Sequence, residues 1–130
     1  MTSLYLDTSV ALLAVLERPD AAIRTWLDEQ REAGILVASS KLLQLELARV
    51  LRREGLDPAR ARFVLQRCEL LGISDSVLQL AAAIETHVKS LDAIHLATAA
   101  MLPAPVTIVT RDRRMRDAAR TLNLACSDAL

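Results

Sequence analysis

Four carboxylates sit in surroundings that do not welcome a charge. Asp7 directly follows the apolar run Ser3–Leu6, and Asp112 comes three residues after the β-branched run Val106–Val109. Glu46 borders the apolar stripe of Leu43, Leu47, Val50 and Leu51, and Asp92 opens a stretch, 91–100, that is otherwise almost entirely small or apolar. A carboxylate among apolar side chains needs a partner, or its pKa rises until it neutralises. Each acid also has an ordinary reading. Asp92 suits the first turn of a helix, where the macrodipole favours it. Asp7 suits a helix cap. Glu46 is spaced to pair with Arg49 or with Arg53.

Taken together, the four acids suggest one chemistry. In a parallel sheet with right-handed crossovers, strand ends and the helix starts that follow them share one rim, where ligands bind. Four carboxylates on one rim stay ionised together only around a cation. A donor set of oxygens without Cys or His selects Mg²⁺ or Mn²⁺. Such a centre suits hydrolysis of a phosphodiester. No other nucleophile competes: there is no Gly-rich phosphate loop and no Cys/His pair, and two histidines, His87 and His95, are too few for a zinc site. His95 lies three residues after Asp92, spaced either to orient that acid or to pack within the helix.

The elements that must position these acids alternate. Ser3–Leu6 reads as a strand, followed by a polar turn whose Thr8 and Ser9 suit capping, then a helix over 10–16. Asp20 caps a helix over 21–33 that Gly34 ends, and 35–38 reads as a second buried strand. Ser39 and Ser40 cap a helix over 41–54, stopped by Gly55. Asp57-Pro58 starts a helix expected to run to residue 71, with a very short strand at Ile73. Further helices are expected over 74–87 and 91–100. Val106–Val109 is the clearest strand, followed by a helix over 113–122 and an edge strand over 124–126. The whole reads as a single α/β domain, 1–130, without repeats or linkers.

Composition narrows the class. The chain is 52% hydrophobic with a formal net charge of zero, so overall basicity offers no argument for a nucleic-acid partner. The arginines nevertheless cluster, at 49, 52 and 53, at 60, 62 and 67, and from 111 to 120. Aromatics make up only 2%, which leaves few platforms for stacking on bases. Cys68 and Cys126 have no metal-ligand spacing and fit a reducing compartment. No signal peptide and no apolar stretch of membrane-spanning length is visible, so a cytoplasmic protein without membrane contact is expected.

Four segments resemble one family. Leu6-Asp7-Thr8-Ser9, Glu46-Leu47, Leu91-Asp92-Ala93-Ile94-His95-Leu96-Ala97 and Val109-Thr110-Arg111-Asp112 match, in order and spacing, the PIN domains of the VapC-type toxins of bacterial type II toxin–antitoxin pairs. The resemblance covers about the whole chain. It implies a three-layer PIN-like α/β fold with a short, mostly parallel sheet of about four to five strands between helices. It implies that Asp7, Glu46, Asp92 and Asp112 form a catalytic, metal-binding quartet for Mg²⁺ or Mn²⁺, with Ser9 and Thr110 as supporting hydroxyls. It further implies a metal-dependent endoribonuclease acting on RNA, a homodimer and a cognate antitoxin. Asp117 is a candidate fifth acid, against a solvated helix face where it pairs with Arg113 or Arg114. One departure is Asn123, where family members often carry Gly before the last strand; Asn tolerates the left-handed conformation.

The competing readings fare worse. A phosphatase of the haloacid dehalogenase type wants a second Asp two residues after the first, and Ser9 stands there. A receiver domain wants an acid pair before its first-strand Asp and a Lys after its last strand, and has neither. A ribonuclease of ordinary RNA processing, or a PIN scaffold that only binds, would share the fold. The short chain favours the toxin among the nucleases, and the intact quartet weighs against the scaffold.

Overall fold

The computed structural model describes residues 2–103 and 105–129. Five strands, β1 (Ser3–Leu6), β2 (Val37–Ser40), β3 (Glu69–Leu71), β4 (Val106–Val109) and β5 (Ala125–Ser127), form one sheet in the order β3-β2-β1-β4-β5. Every pairing is parallel. Seven α-helices accompany them: α1 (Thr8–Ala11), α2 (Ala21–Glu32), α3 (Lys41–Arg53), α4 (Arg62–Leu65), α5 (Asp75–Ala83), α6 (Ser90–Ala100) and α7 (Arg113–Thr121). None of the described helices is long and apolar enough to cross a membrane.

The period-two alternation of β1 creates the three layers. Leu4 and Leu6 face a core built with Val10, Ile23, Leu27, Leu43, Leu47 and Leu51, while Tyr5 points the other way, among Leu96, Ile108, Met115 and Ala118. β4 divides its side chains similarly, Val109 to the first core and Ile108 to the second. Helices therefore cover both faces, which an all-parallel sheet requires. The chain winds outward from β1 through β2 to β3, then returns to β1's other side as β4. That reversal opens a crevice at the carboxyl ends of β1 and β4.

Several boundaries differ from the sequence reading. β2 lies two residues later than expected and includes both serines; Ser40 caps α3 through Leu42 N–H (3.0 Å), while Ser39 donates to the Leu6 carbonyl (2.7 Å). The helix expected from Asp57 to residue 71 is only a 3-10 turn, Pro58–Ala61, plus the single-turn α4. At its end Arg67 N–H bonds the Val64 carbonyl, three residues back instead of four, and the Arg67 guanidinium donates to the Phe63 carbonyl (2.8 Å) while pairing with Asp28 and lying over the Phe63 ring. Residues 69–71 are then free to pair with β2, which places the short strand there and not at Ile73. The helix after Tyr5-Leu6-Asp7 begins at Thr8 and tightens to a 3-10 turn by Leu12–Ala14. α5 ends at Ala83, where Ile84 turns extended, four residues short of the expected His87.

Asn123 adopts the left-handed conformation (φ 58°) and so takes the glycine's place before β5. Substituting Asn123→Val should lower the unfolding free energy by roughly 1–2 kcal/mol, because a branched side chain clashes with the carbonyl in that region. Asn123→Gly should stay within a few tenths of a kcal/mol of the parent. Urea midpoints of the three proteins test this, and equal midpoints would show that the turn does not hold Asn123 in that conformation.

Candidate active site

The crevice between β1 and β4 collects the acids. Asp7 leaves β1 with its backbone N–H on the Val109 carbonyl (3.0 Å), which ties it to the end of β4. Its side chain is 4% exposed and does not cap α1. Instead its Oδ2 accepts from Ser9 Oγ (2.8 Å) and Thr110 Oγ1 (2.8 Å). The hydroxyl expected to cap the helix at Ser9 is thus spent on Asp7, and Ser9 Oγ in turn accepts from Arg111 N–H (3.0 Å). Thr110 likewise joins two acids, since its Oγ1 accepts the Asp112 N–H (3.0 Å).

The other acids arrive from helices. Asp112 caps α7, its Oδ1 accepting from Arg114 N–H (2.9 Å) and, more weakly, Met115 N–H (3.4 Å). Glu46 lies in the second turn of α3 and faces inward across the rim. Its Oε1 accepts from Thr8 Oγ1 (2.8 Å) and from His95 Nε2 (2.6 Å), so neither Arg49 nor Arg53 is its partner; Arg53 pairs with Glu54. His95, 2% exposed, therefore has Glu46 and not Asp92 as its acidic partner. Asp92 stands in the first turn of α6.

A common pattern emerges. In Asp7, Glu46 and Asp112, the hydrogen bonds among the described residues all land on one oxygen of the carboxylate. Asp92 receives none among the described residues, and its carboxyl is pushed up from the ordinary range. Burial is the chief cause, followed by the charges of Asp7 and Asp112; His95 opposes the shift, and Glu46 adds to it. One group thus feels the other three acids as neighbours. Among the described residues no three Asp, Glu, His or Cys side chains close into a ready-made cation cage. The donor chemistry, oxygen-only with one oxygen anchored on three of the acids, still fits a hard divalent cation.

Asp117 stays apart. It lies on the exposed face of α7, and its basic neighbour is Arg120 at 3.9 Å, one turn on, in place of Arg113 or Arg114. The cysteines offer no rival nucleophile, since burial pushes the Cys68 thiol up to about 12 and also raises that of Cys126. Part of the arginine clustering is structural. Arg60 donates to the Val15 and Leu16 carbonyls, and Arg67 to Asp28. Nothing in composition separated these arginines from the others.

The model of the PIN domain matches residues 4–121. The chain belongs to the PIN domain family. Two similar proteins are ribonucleases of Mycobacterium tuberculosis. Ribonuclease VapC47 is 37% identical over 122 residues, covering 90% of both chains. Ribonuclease VapC46 is 38% identical over 129 residues, covering 96% of both. Among solved structures, FitAB bound to a DNA fragment (IR36) superposes with a TM-score of 0.68 at 18% identity, over 95% of this chain and 93% of that one. FitAcB from Neisseria gonorrhoeae gives 0.63, also at 18% identity and over 97% of each. These superpositions establish the shared fold, and the PIN domain here is homologous to VapC ribonucleases across nearly its full length.

The raised Asp92 carboxyl carries a sign. The folded protein holds that proton to higher pH than the unfolded chain, so this group's contribution to stability falls as pH rises above the ordinary carboxylate range. In chelator, Asp92→Asn should raise the melting temperature at pH 7 and remove part of the decline that sets in above about pH 4. Parallel melting profiles for the two proteins would show that Asp92 does not feel its neighbours.

Proposed function

We propose that this PIN domain is a Mg²⁺- or Mn²⁺-dependent endoribonuclease, the toxin of a type II toxin–antitoxin pair. The observation that carries the reading is the rim itself: three acids each anchored by one oxygen, and a fourth whose carboxyl is raised first by burial and then by the charges of the other three. A divalent cation bound there would supply charge neutralisation at the scissile phosphate and acidify a water at neutral pH.

The protein's own groups have distinct tasks in this reading. Asp7 and Asp92 would hold the ion together with Glu46 and Asp112. Ser9 and Thr110 hold Asp7 in place. Glu46 and Asp112 flank them, each fixed by donors that leave one oxygen toward the rim. The identity to proteins named ribonucleases supports RNA as the substrate, and their VapC names support a cognate antitoxin as partner.

RNA would be held by its phosphates rather than by stacking. An open groove of about 460 Å³ runs beside β5, walled by Arg116 and Arg120, with Asp128 also on its lining. Arg116 donates to the Thr110 carbonyl (3.3 Å), which connects this groove to the rim. Ile73, Leu78, Leu80 and Leu91 are exposed on and beside α5 and α6, and suit the contact of a homodimer.

Purified protein freed of any antitoxin should cut cellular RNA into discrete fragments with Mg²⁺ or Mn²⁺ and leave it intact in chelator. Asp7→Asn and Asp92→Asn should each reduce the rate by more than about a hundredfold, since losing even a residue that only orients a ligand costs 10–100-fold. Both variants should stay folded, because neither side chain caps a helix. Cleavage that persists in chelator, or in the folded Asp92→Asn variant, would remove the metal mechanism. Absence of cleavage with either metal would leave a binding role.

A further inference from the structure

Beneath Glu46 lies a buried relay that the quartet does not include. Tyr5 Oη and His95 Nδ1 are 2.7 Å apart, His95 Nε2 and Glu46 Oε1 are 2.6 Å apart, and Thr8 Oγ1 bonds the same Glu46 oxygen at 2.8 Å. We propose that His95 is a positioning residue that holds the Glu46 carboxylate in register for a divalent cation, with its own tautomer set by Tyr5. The proposal rests on the nuclease reading above and assigns a role to a residue outside the set of acids.

The tautomer follows from the partners. A carboxylate only accepts, so His95 Nε2 must carry a hydrogen whatever the charge on the ring. In the neutral ring Nδ1 then accepts, and the Tyr5 hydroxyl donates to it. The ring has little freedom to turn. It is 2% exposed, and Tyr5 meets it nearly edge-on, with centroids 5.8 Å apart and planes 70° apart. Thr8 Oγ1 also lies 3.4 Å from His95 Nε2; since both groups donate to Glu46, this is a contact between two donors and not a bond.

The consequence for Glu46 is specific. Both donors converge on Oε1, one from α1 and one from α6, while Glu46 itself belongs to α3. The carboxylate is pinned between two elements that also carry Ser9 and Asp92. With Oε1 occupied, the other oxygen is the one the described bonds leave for an ion. Packing alone would be served by Leu at position 95, and it would not require the two polar partners. The arrangement is that of an outer group orienting a ligand, whose removal typically costs 10–100-fold in metal affinity.

Two kinds of measurement test this. In ¹⁵N-labelled protein, ring nitrogen shifts report the tautomer directly, with only His87 and His95 to assign; the expected form of His95 carries its hydrogen on Nε2. Calorimetric titration with Mn²⁺, without RNA, should show His95→Leu binding about 10–100-fold more weakly, with His95→Gln regaining part of the loss through its amide. Because the Leu variant removes the acceptor of the Tyr5 hydroxyl, Tyr5→Phe/His95→Leu removes both polar groups of the pair, and it should fold and show the same weakened binding. If His95 acts through Glu46, adding His95→Leu to Glu46→Gln should change nothing further.

A wild-type ring protonated on Nδ1 alone overturns the proposal. So does a folded double variant with wild-type Mn²⁺ affinity, or an additive loss in the Glu46→Gln background. Should both Leu variants fail to fold, a folded His95→Gln as weak as Glu46→Gln also overturns it, and partial recovery supports it. Wild-type protein that neither binds Mn²⁺ nor cuts RNA overturns the nuclease reading itself, and the positioning role with it.

Discussion

Like-charge repulsion at the carboxyl ends of β1 and β4 is the constraint on which this molecule turns. Asp7, Glu46, Asp92 and Asp112 come from four different elements, and Asp92 registers the other three as unfavourable neighbours. A collapsed chain would relieve that repulsion by swinging the acids into solvent. It is prevented by hydrogen bonds that fix one oxygen of each of three carboxylates. The donors are hydroxyls, the His95 ring and backbone N–H groups. The hydroxyls of Thr8 and Ser9 could have capped α1 and instead serve acids. Only Asp112 combines both tasks, capping α7 while standing at the rim.

The sheet makes this confinement affordable in stability terms. Because β1 alternates, a single four-residue strand feeds both cores. Its central position also makes it the point at which the strand order reverses. The burial of Leu6, Leu43, Leu47 and Ile108, each 0–1% exposed, favours folding by about 1.5–3 kcal/mol per side chain before entropy is counted. That is the scale on which the charge repulsion must be absorbed. Tyr5 belongs to both accounts: its ring fills the second core, and its hydroxyl reaches the His95 ring that holds Glu46.

What the sequence disclosed and what it hid divide along a physical line. β1, β4, α2 and α7 were legible because apolar runs and capping residues act locally. The substitution of Asn123 for glycine was legible for the same reason, as a property of one residue's backbone. The segment 57–71 was not, because its helix ends where the Arg67 guanidinium meets both the Phe63 carbonyl and Asp28, a partner thirty-nine positions away that no local pattern shows. Similarly, the spacing of His95 pointed to Asp92 on its own helix, whereas its partners Tyr5 and Glu46 come from β1 and α3. Glu46 at the margin of an apolar stripe was a signal that it faced inward. Which residue it would meet there lay beyond any pattern along the chain.

Asp92 has no hydrogen-bonded anchor among the described residues, yet its position is not arbitrary. It sits in the first turn of α6, an eleven-residue helix whose flanking Lys89 makes no side-chain cap. The exposed N–H dipoles of such a turn favour a negative charge by about 0.3–1 kcal/mol. That partly offsets the repulsion without committing either carboxylate oxygen to a fixed donor. Of the four acids it is therefore the one most able to reorient, and the charges of the other three oppose its own. In a centre proposed to take up a divalent cation, this is the acid with the most to gain from the ion's arrival. The three anchored carboxylates would define the site in advance, and Asp92 would supply most of the local response to its being filled.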